Sequence, residues 1–149
     1  MELRDYVSRD AVGLAELVRR REVTVEEIDD AARRAIEVVE PKLNATVGNF
    51  FDPPLQGSND GPLSGVPFAL KEVAPHLEGQ RTQLGSRIAG DGVVGASDTH
   101  FGKRIRSAGL RSLARTRSPE FAFNVTTEPV AHGATCNPWN LEHSVGGSS

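Results

Sequence analysis

The sequence predicts an α/β chain, and three observations predict it. Two stretches near the amino terminus carry apolar residues at helical period behind residues suited to cap a helix. A short apolar run bounded by glycine, residues 65–70, has the pattern of a buried strand. A third cappable helical segment then leads into a second short apolar run at residues 110–114. With 149 residues, 38% of them hydrophobic and 25% charged, the composition is that of an ordinary globular protein, which excludes disordered and collagen-like chains.

The first helix is placed by Ala11, Leu14, Ala15 and Val18, at i, i+3, i+4 and i+7 behind Asp10 as N-cap. The second begins at Thr24, whose hydroxyl and the Glu27 carboxylate three positions on form a capping box. Its stripe is Val25, Ile28, Ala32, Ala35, Ile36 and Val39, and Pro41 is expected to end it. Asp52 to Pro62 is dense in turn formers and reads as a surface loop. Gly65 to Leu70 is the buried strand, closed by the charge of Lys71; Pro67 is expected to keep its first residues outside regular pairing. Glu78 to Gly95 reads as a long irregular loop. Asp98 is the expected cap of a third helix with Phe101, Ile105 and Ala108 facing inward and Gly109 as its stop. Leu110 to Ala114 suits a brief strand, and the rest is mostly loop.

Several functional classes are disfavoured. No run approaches the about 18 apolar residues of a membrane span, and the first residues lack the order of a signal peptide, so a cytoplasmic protein is expected. Cys136 has no partner for an internal disulfide, and a net charge of −3 argues against a nucleic-acid binder. The acid-free run holding Lys103, Arg104, Arg106, Arg111, Arg115 and Arg117 is explained by a solvated helix face, because no aromatic is interleaved for base stacking. The histidines 76, 100, 132 and 143 show no metal-ligand spacing with one another or with Cys136, so neither metal nor cofactor is expected. Lys71 and the Gly146-Gly147-Ser148-Ser149 tract remain as candidate chemistry. A lysine drawn into a poorly solvated site can accept a proton, and paired glycines let backbone approach a ligand closely.

The order of the motifs is more specific than any one of them. Gly61-Pro62-Leu63-Ser64-Gly65-Val66-Pro67-Phe68 leads to Lys71, followed by Gly85-Ser86-Arg87, Ser118-Pro119-Glu120-Phe121, Thr127-Glu128-Pro129, Gly133-Ala134-Thr135, Asn137-Pro138-Trp139-Asn140 and Gly146-Gly147-Ser148-Ser149. From about residue 8 to the last residue, this string resembles the amidase signature family, and within it the bacterial amidases of the 6-aminohexanoate-cyclic-dimer hydrolase type. The resemblance implies a mixed β-sheet covered by helices on both faces. Residues 1–149 would be the N-terminal part of a single amidase domain, with a helical segment at about 8–41 and the start of the core at about 61–149.

It also implies a Ser–cis-Ser–Lys triad acting through an acyl-enzyme on a carboxamide. Lys71 aligns with the family's proton-accepting lysine, Ser148 with the middle serine on a cis peptide bond, and Ser149 with a supporting hydrogen-bond residue. The family's nucleophilic serine lies beyond this motif, so the 149 residues are expected to be inactive alone. Two departures stand out: Glu72 where most members carry Asp, and Ala114-Arg115-Thr116-Arg117 in place of Gly-Lys-Thr-Asn. The expected partner is a small-molecule amide, with no nucleic acid and no membrane, and a homodimer is allowed for. The alternatives are the A subunit of a glutamyl-tRNA amidotransferase, which shares most of the blocks, and a truncated product without catalysis.

Overall fold

The computed structural model describes residues 1–73 and 77–148. Three helices lead the chain: α1 (Leu3–Val7), α2 (Ala11–Arg19) and α3 (Val25–Leu43). The five-residue α1 buries no residue, which is why no apolar stripe announces it. The Asp10 carboxylate accepts the Gly13 N–H at 2.7 Å at the start of α2. At the start of α3, the Glu27 N–H donates to the Thr24 hydroxyl and the Thr24 N–H to the Glu27 carboxylate, completing the capping box. Leu14 and Ala15 of α2 and Ile28 of α3 pack with Val66 into one core cluster.

Pro41 does not end α3, contrary to the sequence expectation. A proline in the last turn removes one ladder donor while its φ stays helical. The end is set instead by Asn44, left-handed at φ 53°, whose N–H donates to the Glu40 carbonyl at 2.9 Å. The Glu40 carboxylate then accepts the N–H groups of Ala45 and Thr46, and so steers the chain into β1 (Thr46–Val47).

The main sheet adds β2 (Pro67–Lys71) and β5 (Arg111–Thr116), in the order β1-β5-β2. Strand β5 is antiparallel to β1 and parallel to β2, so the sheet is mixed. Pro67 sits opposite Arg111 inside the ladder. It needs no donor there, since the Arg111 N–H donates to the Val66 carbonyl at 2.8 Å, and the register shifts only between Phe68 and Ala69. The crossover between the parallel strands contains β3 (Arg81–Thr82) and β4 (Val93–Val94), a minimal antiparallel pair inside the stretch expected to be irregular. Two-residue strands are too short to show an alternation in sequence.

The crossover closes with α4 (His100–Ala108). Thr99, rather than Asp98, caps it by accepting the Gly102 N–H. The Asp98 carboxylate is taken by the Glu78 N–H at 2.7 Å and by Arg106 at 2.6 Å. Gly102 and Ile105 form the buried face of α4, while Phe101 is exposed. Ile105 joins Leu70 and Leu77 in the second core cluster. Gly109 ends the helix at φ +87°, and a Cβ there would lie 2.6 Å from the Ser64 Cα.

Strand β5 also revises the reading of the basic run. Lys103 and Arg104 are solvated on α4, but Arg111 is buried against Asp29, Arg115 lies beside Glu72, and Arg117 donates to the Thr46 carbonyl. The strand carries Arg111 and Arg115, and with them Arg117 just past its end, to specific partners. After Pro119 the chain is mostly loop, with a short 3-10 turn at Glu120–Ala122 and the hairpin β6 (Cys136–Asn137) and β7 (Asn140–Ser144), which is followed by residues 145–148.

Candidate active site

Lys71 is the last residue of β2, opposite Thr116 of β5. The next amide, Glu72 N–H, still donates to the Thr116 carbonyl at 2.9 Å, so the backbone on which Lys71 stands is held in the sheet. Its half-buried side chain reaches Ser148: Lys71 Nζ donates to Ser148 Oγ at 3.3 Å. The two residues are 77 positions apart in the chain. The Gly147–Ser148 peptide bond is cis.

The loop that presents Ser148 is tied down at each glycine. The Gly146 N–H donates to the Ser144 hydroxyl at 3.2 Å, and the Gly146 carbonyl accepts the Thr127 hydroxyl at 2.6 Å. A Cβ on Gly147 would lie 2.8 Å from Pro119 Cγ and 3.0 Å from the Asn124 carbonyl oxygen. Those distances leave no room for a side chain between Ser148 and the 119–126 segment. Thr127 is itself buried and backbone-bonded: its carbonyl accepts the Thr135 N–H at 2.9 Å, and the Thr135 carbonyl accepts the Val145 N–H.

Beneath Lys71 lies a buried carboxylate. Glu72 is 1% exposed; one carboxylate oxygen accepts the Gln83 N–H, and its backbone carbonyl accepts the Thr82 hydroxyl. The other oxygen has no hydrogen-bond partner among the described residues and lies 3.9 Å from Arg115 Nε. Burial pushes the Arg115 guanidinium below its ordinary pKa, and the Glu72 charge offsets part of that. Burial likewise holds the His132 imidazole below its usual range, with Glu72 opposing and Arg117 adding to the shift. Arg117 stitches two segments together, donating to the Thr46 carbonyl at 2.8 Å and to the Gly133 carbonyl at 3.4 Å. The Ser86 hydroxyl donates to the Glu120 carboxylate, locking the Gly85-Ser86 and Pro119-Glu120 blocks together.

An amine and a hydroxyl at this separation can exchange a proton, which is the chemistry the arrangement offers. Ser149, the expected supporting residue, lies outside the described residues, as does His76. Among the described residues no group of three His, Cys, Asp or Glu could hold a metal ion. Thr127 stood in a motif block and Glu72 and Arg115 as departures, but their contacts, and Ser144 altogether, had no sequence signal, since a tie between distant residues has no period to detect. The cleft of about 940 Å³ between α3 and residues 48–52, lined by Arg33, Glu40, Asn44 and Phe50, contains neither Lys71 nor Ser148.

Comparison with known proteins bears on this geometry. A family model described as amidase matches residues 19–149. The chain is 39% identical over 144 residues to a 6-aminohexanoate-cyclic-dimer hydrolase of Paenarthrobacter ureafaciens, covering 95% of this chain and 29% of that one. It is 38% identical over 156 residues to the A subunit of a glutamyl-tRNA(Gln) amidotransferase of Acidothermus cellulolyticus, covering 97% and 30%. A solved structure of 6-aminohexanoate cyclic dimer hydrolase superposes with a TM-score of 0.80 at 33% identity, over 99% of this chain and 30% of that one. The chain thus spans about 30% of the length of the relatives it matches.

Proposed function

The chain belongs to the amidase signature family, and on that premise we propose that the full-length protein hydrolyses a carboxamide C–N bond through an acyl-enzyme, with Lys71 and Ser148 as the proton relay. The observation that carries this reading is the 3.3 Å contact between Lys71 Nζ and Ser148 Oγ.

In this scheme a nucleophilic serine downstream of residue 149 loses its proton to Ser148 Oγ as Ser148 passes its own to Lys71 Nζ. The serine oxygen attacks the amide carbon. The proton then returns along the same path to the departing amine, leaving an ester of the serine and the acid. Water, deprotonated through the same relay, splits that ester and restores the enzyme. Ser149 supports Ser148 by a hydrogen bond. Residues 1–149 on their own contain the base and the relay, and do not turn over amide.

The similarity to the cyclic-dimer hydrolase favours an amide as substrate, cyclic amides among the candidates. Among the described residues no helix is long and apolar enough to cross a membrane. The similarity to the amidotransferase chain supports a second reading, in which the same relay works inside a heteromeric complex on charged tRNA.

The test is the Lys71→Ala variant of the full-length protein, assayed on aryl, simple and cyclic amides between about pH 7 and 9. Turnover should fall about 10²- to 10⁴-fold, the usual worth of a positioned acid–base group. Undiminished turnover would remove Lys71 from the mechanism. Copurification of a stable heteromeric complex whose activity requires charged tRNA would favour the second reading over free hydrolysis.

A further inference from the structure

Resting on the proposed amide hydrolysis, we infer that Thr127 is a positioning residue for the relay, fixing Ser148 in reach of Lys71 through the carbonyl of Gly146. The inference starts from where Thr127 sits. It is 4% exposed, and its own backbone is anchored by the Thr135 N–H, so its hydroxyl is presented from a fixed point. That hydroxyl donates to the Gly146 carbonyl at 2.6 Å, shorter than the usual 2.7–2.8 Å hydroxyl–oxygen contact.

The Gly146-Gly147 segment is held by side-chain ties at Gly146 and by close packing around Gly147. Its residues lie outside regular strand pairing, and glycine imposes few conformational limits of its own. Gly146 is left-handed at φ +87° and is tied at both of its polar atoms by side-chain hydroxyls, Ser144 on the N–H and Thr127 on the carbonyl. The Ser144 tie is local, spanning two residues. The Thr127 tie spans 19 and is the one that references the loop to the segment packed over Gly147. Ser148 follows directly, and at 3.3 Å its contact with Lys71 has little slack before a hydrogen bond is lost. Thr127 touches neither of the exchanging atoms in this arrangement and acts through the loop.

The experiment compares Thr127→Val and Thr127→Ser in the full-length protein, with Lys71→Ala assayed in the same series. Valine keeps the volume and deletes the donor; serine keeps the donor. The expected result is a fall in kcat of about 10- to 100-fold for the valine variant, as misplacement of a reacting group by about an ångström produces. KM should stay within about twofold, and the serine variant should recover kcat to within about threefold. A valine variant with kcat unchanged, or a serine variant no better than valine, overturns the inference. Should Thr127→Val fail to fold, Thr127→Ala is read in the same way. Loss of turnover in Lys71→Ala with none in Thr127→Val overturns the role of Thr127 alone, whereas loss in neither overturns the relay with it.

Discussion

The helical scaffold and the loop carrying Ser148 are held by opposite means. In the scaffold, α3 docks through fully buried Ile28 and Ala31 and through one buried ion pair, Asp29 with Arg111 of β5. The guanidinium donates to Asp29 Oδ2 at 2.7 Å and to the Gln56 side-chain oxygen at 2.8 Å. Burial pushes the Asp29 carboxyl above its ordinary pKa, although the hydrogen bond and charge of Arg111 pull the other way. In the stretch from Arg117 to Ser148 the large apolar side chains face outward instead, Phe123 and Trp139 each 94% exposed. What sets its path is a set of directional bonds to backbone atoms from Arg117, Thr127, Thr135 and Ser144. Apolar burial tolerates small displacements because it has no direction, whereas a hydrogen bond weakens steeply with angle and distance. Damage to the scaffold should therefore be read in stability, and damage to the loop in turnover.

The sharpest way to break that contrast is Arg111→Met, which leaves the Asp29 carboxylate buried without its partner. The full-length protein should lose about 3–5 kcal/mol in urea unfolding, with turnover per folded molecule retained. Gly147→Ala comes next. Its new Cβ meets Pro119 and the Asn124 carbonyl, so about 1–3 kcal/mol of stability should go. Turnover per folded molecule should drop about 10²-fold, because the loop must move to make room and Ser148 moves with it. If that variant loses stability and keeps its turnover, the loop does not position the site. Thr24→Ala removes half of the α3 capping box and should cost about 1 kcal/mol by the same unfolding measurement, leaving turnover unchanged.

The smallest effect is one of pH. The Glu78 N–H, with Arg106, holds the Asp98 carboxyl below its usual range. A carboxylate whose folded pKa lies below its unfolded value of about 3.9 adds stability above that pH and loses it as pH falls through the folded value. Asp98→Asn should therefore lower the melting temperature near neutrality and converge on the wild type in acid. An equal gap at both pH values would separate Asp98 from the acid sensitivity of the crossover.

Particular residues show what was legible in the sequence. The caps at Asp10 and at Thr24 with Glu27 were readable because each is a local exchange between residues three apart, and β2 and β5 because their apolar runs are bounded by glycine or charge. Pro41 and Asp98 misled for a common reason: a residue's intrinsic preference was outweighed by a partner elsewhere, Glu40 and Asn44 at one end, Glu78 and Arg106 at the other. The arginines of β5 misled because charge in sequence says nothing of where the acceptors stand in space. At the site, Lys71 and Ser148 were named by the order of motif blocks, while the ties that bring them together were invisible. Thr127 reaches Gly146, and Glu72 reaches the Gln83 N–H, only after the chain has folded back on itself.

The central claim is that Lys71 and Ser148 act as one unit, and a double-mutant cycle on the full-length protein tests it most directly. Groups that pass a single proton between them are grossly non-additive in their effects. Lys71→Met, Ser148→Ala and the double variant should each lose turnover, with the double no slower than the worse single variant to within about threefold. Losses that multiply in the double variant would mean that the two side chains act independently, and the relay drawn through their 3.3 Å contact would be wrong.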